Sequence, residues 1–81
     1  MAAQIRTAPA LGVTLRRERR RQGLRQADLA RLAGVRQATV SKLETEGEVT
    51  TATLMAVLAA LGLELRVVPR GEDARELDEL F

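Results

Sequence analysis

The sequence predicts a mainly α-helical domain of four to five helices that ends in one β-strand, and three stretches predict it. Leu29, Ala30 and Ala33, then Val40 and Leu43, recur at three- and four-residue steps on either side of Gly34. That is the spacing of two short helices joined by a tight turn. Residues 51–61 set Leu54, Met55, Val57, Leu58 and Leu61 among alanines, a helix with so little polar surface that it must be covered on more than one side. From 63 to 68 the period drops to two: Leu63, Leu65 and Val67 alternate with Glu64, Arg66 and Val68 until Pro69 stops the pattern, as in a strand.

Composition bounds the function. The 81 residues include one Phe and neither Trp nor Tyr, so the core is aliphatic and near the lower limit of self-sufficiency. A homodimer interface would add the missing burial. With no Cys and no His, disulfides, thiolate or imidazole metal sites and the usual nucleophile and base pairs are excluded. We expect no metal, no cofactor and no enzyme activity. The net charge of +2 hides a polarity: residues 1–42 carry ten cations against Glu18 and Asp28, whereas residues 43–81 carry Arg66, Arg70 and Arg75 against nine acids. One half suits phosphates and the other does not. Residues 1–9 are too polar for a signal peptide, and no stretch approaches the ~18 apolar residues of a membrane span. A cytoplasmic protein without a membrane partner is expected.

Residues 1–10 read as a flexible arm, with Pro9 suited to the start of a helix. The first helix is expected over Leu11–Gln22, burying Leu11 and Leu15, capped by Gly23 and followed by Leu24 returning to the core. Continuing by four lands on Arg19, and a guanidinium turned inward needs a carboxylate. The second helix opens at Gln26 or one residue earlier, with Asp28 favourable to its dipole. It closes at Gly34, where a sharp exit needs positive φ. The third starts near Arg36, and Gln37, Ala38, Ser41 and Lys42 share its exposed side. Gln37 has the donor and acceptor for adenine N6 and N7, Ala38 fits a thymine methyl, and Lys42 reaches guanine or phosphate. Arg25, Arg36 and Thr39 are assigned to phosphates, though Thr39 could equally stay inside the fold. The pair is a helix-turn-helix with its second helix in the major groove.

Gly23, Leu24, Gln26, Ala30, Gly34, Val35, Val40 and Glu44 together resemble the Cro/repressor, or Xre, family, whose fold is lambda-repressor-like. The resemblance implies that Gln26 lies beside a backbone phosphate and that Arg19 forms a structural ion pair with Glu44, with Arg17 the runner-up partner. The loop after Glu44, TEGEVT, departs from the family pattern. Its Glu46 and Glu48 would repel phosphates, so it is expected to point away from DNA.

Thr50 is an N-cap for the helix over residues 51–61, its hydroxyl accepting from the N–H of Thr53, and Gly62 closes it. The strand over 63–68 cannot satisfy its own backbone. Pairing with the same segment of a second copy would form a two-stranded antiparallel sheet, with Glu64 facing the other copy's Arg66 if Leu65 lies at the axis. Leu58, Leu61, Leu63, Leu65 and Val67 are the expected dimer interface.

Over residues 11–69 this combination resembles the HipB-like antitoxins. That resemblance implies an operator-binding homodimer that represses its own operon and binds a toxin, a HipA-type serine/threonine kinase. The tail, 70–81, is acidic, with Leu77, Leu80 and Phe81 at helix-compatible steps. It is either a solubilising end or a toxin contact that orders on binding. Two other readings stay open: a stand-alone phage-type or metabolic repressor, and an interaction adaptor that has lost DNA binding. No pattern for a small-molecule effector pocket is present.

Overall fold

The computed structural model describes residues 4–70, and over them four helices follow one another: α1 (Ala8–Arg21), α2 (Gln26–Ala33), α3 (Gln37–Glu46) and α4 (Thr51–Ala60). Each boundary has a local cause. The Thr7 hydroxyl accepts from the Ala10 N–H at 3.2 Å, and Pro9 occupies the first turn of α1. The helix therefore starts three residues before the Leu11 expected from apolar spacing, because the cap and the proline act upstream of the first buried side chain. Asp28 anchors the start of α2 by accepting from the backbone N–H of Arg25 at 2.9 Å, half of a capping box. Between α2 and α3, Gly34 takes φ +71°, a left-handed conformation that costs other residues dearly. Thr50 accepts from the Thr53 N–H at 3.1 Å and caps α4.

The α3 helix packs against both α1 and α2, and α4 packs against α2. Leu15 of α1, Leu29 and Ala30 of α2, Val40 and Leu43 of α3, Val57 and Leu58 of α4, and Leu61 just after it form one buried cluster. Gln22, past the end of α1, donates from Nε2 to the Leu61 carbonyl at 2.8 Å and ties the two ends of the fold together.

Gly12 sets the crossing of α1 and α3. A Cβ there would lie 2.6 Å from the Glu44 carbonyl oxygen and closer still to that of Leu43, so only glycine lets the backbones approach this far. Gly47, at φ +72°, similarly places the end of α3 against the Ala8 carbonyl.

Residues 63–69 form neither helix nor strand, and no strand exists among the described residues. The alternation at 63–68 is real, but a ladder requires a second segment and none of the four helices supplies one. The segment leaves Leu65, Val67 and Val68 exposed, Val67 to 94%. Leu77, Leu80 and Phe81 lie outside the described residues.

Candidate nucleic-acid interface

The α3 helix is held from behind. Val40, Leu43 and Glu44 of α3 are buried, and the opposite side of its first two turns is left to solvent. Gln37, Ala38 and Lys42 are exposed there, with Ser41 and Thr39 half-buried beside them. Arg36 flanks the helix N-terminus and is exposed, and the first turn of α3 contains no acid. Free N–H groups, the positive dipole end and Arg36 thus form one end of this surface, a setting that favours phosphate oxygens. Gln37, Ala38, Ser41 and Lys42 together offer paired amide groups, a small apolar contact, a hydroxyl and a cation along one stripe.

Behind that stripe, three helices meet on one carboxylate. Arg19 donates from Nε to Glu44 Oε2 and from Nη2 to Oε1, the latter at 3.0 Å, and from Nη1 to the Leu24 carbonyl at 2.7 Å. Both residues are 6% exposed. Arg17, the other candidate partner, lies exposed on α1. Burial pushes the Glu44 carboxyl up, but the hydrogen bonds from Arg19 and Gln26 outweigh it and hold the group below its ordinary value. The same pairing raises the Arg19 guanidinium further. Two parallel bonds in a site shielded from water are the strong form of this interaction.

Gln26 opens α2 and is half-buried. Its Nε2 donates to Glu44 Oε1 at 3.0 Å, a bond that spacing could not reveal because the partners are eighteen residues apart on different helices. Arg25 is exposed but engaged, donating from Nε and Nη2 to Asp28 at 3.1 Å each. That bidentate bond, helped by the Arg25 backbone N–H, lowers the Asp28 carboxyl to about 2. A cleft opens between α1 and the start of α2, with Arg16, Arg20 and Gln26 among its walls and Thr45 of α3 at its edge. Its signal in the sequence was the i, i+4 spacing of the two arginines, masked by the unbroken cationic run around them.

The five residues expected at a dimer interface separate. Leu58 and Leu61 belong to the chain's own core, Leu63 is half-buried against it, and Leu65 and Val67 face outward. Val57 and Leu58 pack in the core shared with α2, so Leu58, expected at a second copy, is used within the chain. Met55 remains exposed on α4. No described helix is long and apolar enough to cross a membrane.

Comparison with known proteins agrees with this geometry. Among solved structures, the fold is similar to a chain of a HipB–O2 20mer complex, with TM-score 0.80, 27% identity, and coverage of 86% of this chain and 99% of that one. A chain of a HipA–HipB–O2–O3 complex aligns with TM-score 0.79 and 26% identity, over 85% of this chain and 99% of that one. In sequence, the chain is 53% identical over 57 residues to "Putative antitoxin HigA3" of Mycobacterium tuberculosis (strain ATCC 25618 / H37Rv), a match covering 65% of this chain and 51% of that protein. The chain thus spans about half the length of this curated relative. Residues 15–68, which include all of α2, α3 and α4, match the family model Helix-turn-helix, HTH_3, and the chain belongs to this Xre-type family of DNA-binding helix-turn-helix domains.

Proposed function

We propose that the chain is a sequence-specific transcriptional repressor and the antitoxin of a HipBA-like toxin-antitoxin module. It binds operator DNA as a homodimer, represses its own operon and binds a HipA-type kinase toxin. The observation that carries the DNA half of this reading is the exposed stripe of α3. Gln37, Ala38, Ser41 and Lys42 contact bases; Gln26, Arg25, Arg36 and Thr39 contact phosphates. Two copies related by a two-fold axis would present their α3 helices to successive major grooves, about 34 Å apart or a multiple of that.

The exposed segment around Leu65 and Val67 supports the dimer. It has no ladder among the described residues, and pairing with the same segment of a second chain would supply one and cover its apolar side chains at the same time. Within one chain Arg66 donates to Glu64 at 3.3 Å; with Leu65 on the axis, the same two residue types pair between copies. For the toxin half, support comes from the likeness to HipB chains, one of them in a complex with HipA. The acidic tail, with Leu77, Leu80 and Phe81, is its proposed contact. Removing residues 72–81 should weaken toxin binding and leave operator affinity unchanged; equal toxin affinity would discard that contact. The higher sequence identity to HigA3 favours a second reading, in which the module is HigA-like and the toxin is of another class.

The deciding experiment measures binding of the purified protein to the DNA upstream of its own gene and to a scrambled duplex, at two salt concentrations, alongside the Gln37→Ala, Lys42→Ala double variant. Tight, selective, salt-sensitive binding that the variant loses is expected. Equal weak binding to both duplexes would leave the motif a scaffold and favour the adaptor reading.

A further inference from the structure

Several of the arginines among the described residues are already answered by a carboxylate. Arg19 is paired with Glu44, Arg21 with Glu18, Arg25 and Arg31 with Asp28, and Arg66 with Glu64. Arg16 and Arg20 have no ion pair among these residues, yet they stand one helical turn apart on α1, where like charges repel. They line a cleft of about 520 Å³ together with Val13, Arg19, Gln26, Glu44 and Thr45.

Three features of this cleft fit an anion, and a particular one. Its two exposed arginines have no ion pair among the described residues, and the one carboxylate in its walls, Glu44, is buried and hydrogen-bonded by Arg19, with Arg16 acting on it only as a weaker through-space charge. Gln26 gives one amide hydrogen to Glu44, which fixes the side chain and leaves the second hydrogen for a ligand. Thr45 lies one turn beyond Ser41 on α3, its hydroxyl donating to the Ser41 carbonyl, so the α3 side of the cleft is one helical turn from the exposed stripe. A polyanion that meets the stripe and the cleft together is a nucleic-acid strand.

We propose that this cleft seats one phosphate of the DNA backbone, with Arg16 and Arg20 supplying the charge and Gln26, oriented by Glu44, supplying a directed hydrogen bond. The inference rests on the DNA-binding reading above and adds two contacts from α1. It also gives the buried ion pair a second role, because Glu44 is a positioning residue for Gln26 as well as a clasp for three helices.

The test follows the affinity of the full chain for a duplex from upstream of its own gene, and for a scrambled duplex, across a salt series by fluorescence anisotropy. Arg17 is the internal control, being exposed on the same helix, without an ion pair among the described residues, and not part of the cleft. Arg16→Gln and Arg20→Gln should each lower the slope of log affinity against log salt by about 1 per protomer, and weaken both duplexes alike. Arg17→Gln should keep the wild-type slope, and Arg20→Lys should retain most of it.

Unchanged slopes in the Arg16 and Arg20 variants, with wild type still selective, would overturn the seat and spare the repressor reading. An equal drop in Arg17→Gln would reduce the effect to net charge. Wild type without selectivity would take down both. For Glu44, the pair is replaced whole by Arg19→Met, Glu44→Leu, with folding checked by circular dichroism. In that background Gln26→Ala should cost no further affinity, whereas in wild type it should. A purely structural role for Glu44 would leave the Gln26→Ala loss the same in both.

Discussion

Between α1 and α3 polar groups are matched within the chain, whereas beyond α4 apolar groups are left facing outward. Arg19 and Glu44 are buried together with all three guanidinium nitrogens donating, and no buried side-chain polar atom among the described residues lacks a partner. Leu65, Val67 and Val68 instead sit in solvent on a segment without a ladder. The first region is satisfied within the described chain, and under the proposed function the second would be completed by another copy. A small domain with a thin aliphatic core would thereby separate DNA reading from assembly. The two regions should respond oppositely to mutation, with concentration-independent losses in the first and concentration-dependent ones in the second.

The largest loss is expected at the ion pair. Glu44→Ala leaves the Arg19 guanidinium buried without its carboxylate, a defect that costs about 3–5 kcal/mol, enough to unfold much of a domain this size. Chemical denaturation at two protein concentrations would show the same loss at both. The pH dependence has a fixed sign. Because the folded Glu44 carboxyl titrates below its ordinary value of 4.5, its stabilisation is fully present above that value and is lost as pH falls through the lower, folded one. A melting temperature that did not fall as the pH was lowered from 5 to 3 would contradict the assignment.

Next comes Gly12→Ala. Alanine in mid-helix normally gains about 1 kcal/mol over glycine, but here the added methyl would press on the Leu43 and Glu44 carbonyls. The crossing must open, at a cost of about 1–3 kcal/mol. A neutral or stabilising result, read by thermal melting, would mean the α1 and α3 backbones do not approach this closely.

Gly12 and Gln26 mark where sequence reasoning stopped. The helix-turn-helix was legible because periodicity, a turn glycine and the inward placement of Arg19 are all local signals, and they put Gln37, Ala38 and Lys42 on the exposed side of α3. A close crossing of two helices and a hydrogen bond from residue 26 to residue 44 depend on how helices are set against one another, which no spacing rule encodes. The start of α1 was placed late because apolar spacing marks where burial begins, while Thr7 and Pro9 mark where the helix does. Leu58 and Leu61 were given to a second copy because α4 is apolar all round, and periodicity says nothing when every side qualifies. The alternation at 63–68 predicts a strand, and the described residues form none there, because a period of two marks alternating faces but not the ladder partner a strand needs.

A smaller effect is expected at the boundary between the two regions. Thr50→Ala removes the hydroxyl that accepts from Thr53 and should cost about 1 kcal/mol. Because α4 packs on α2, the loss should appear in overall stability at any protein concentration. Local fraying without a change in the global transition would mean α4 belongs energetically to the assembly surface and not to the reading domain.

Val67→Asp should change the stability of the isolated chain least, by under ~0.5 kcal/mol, since the residue is 94% exposed. Its effect should lie wholly in association. Paired across a two-fold axis, the substitution occurs twice in one small sheet and puts like charges close together. Sedimentation should therefore find monomer at concentrations where the wild type is dimeric, with an unchanged melting temperature in dilute solution. Operator affinity should fall with it, because one α3 helix then reaches one half-site alone. A Val67→Asp protein that stayed dimeric would remove the segment from the interface, and Met55 and the outer side of α4 would then be the surface to mutate.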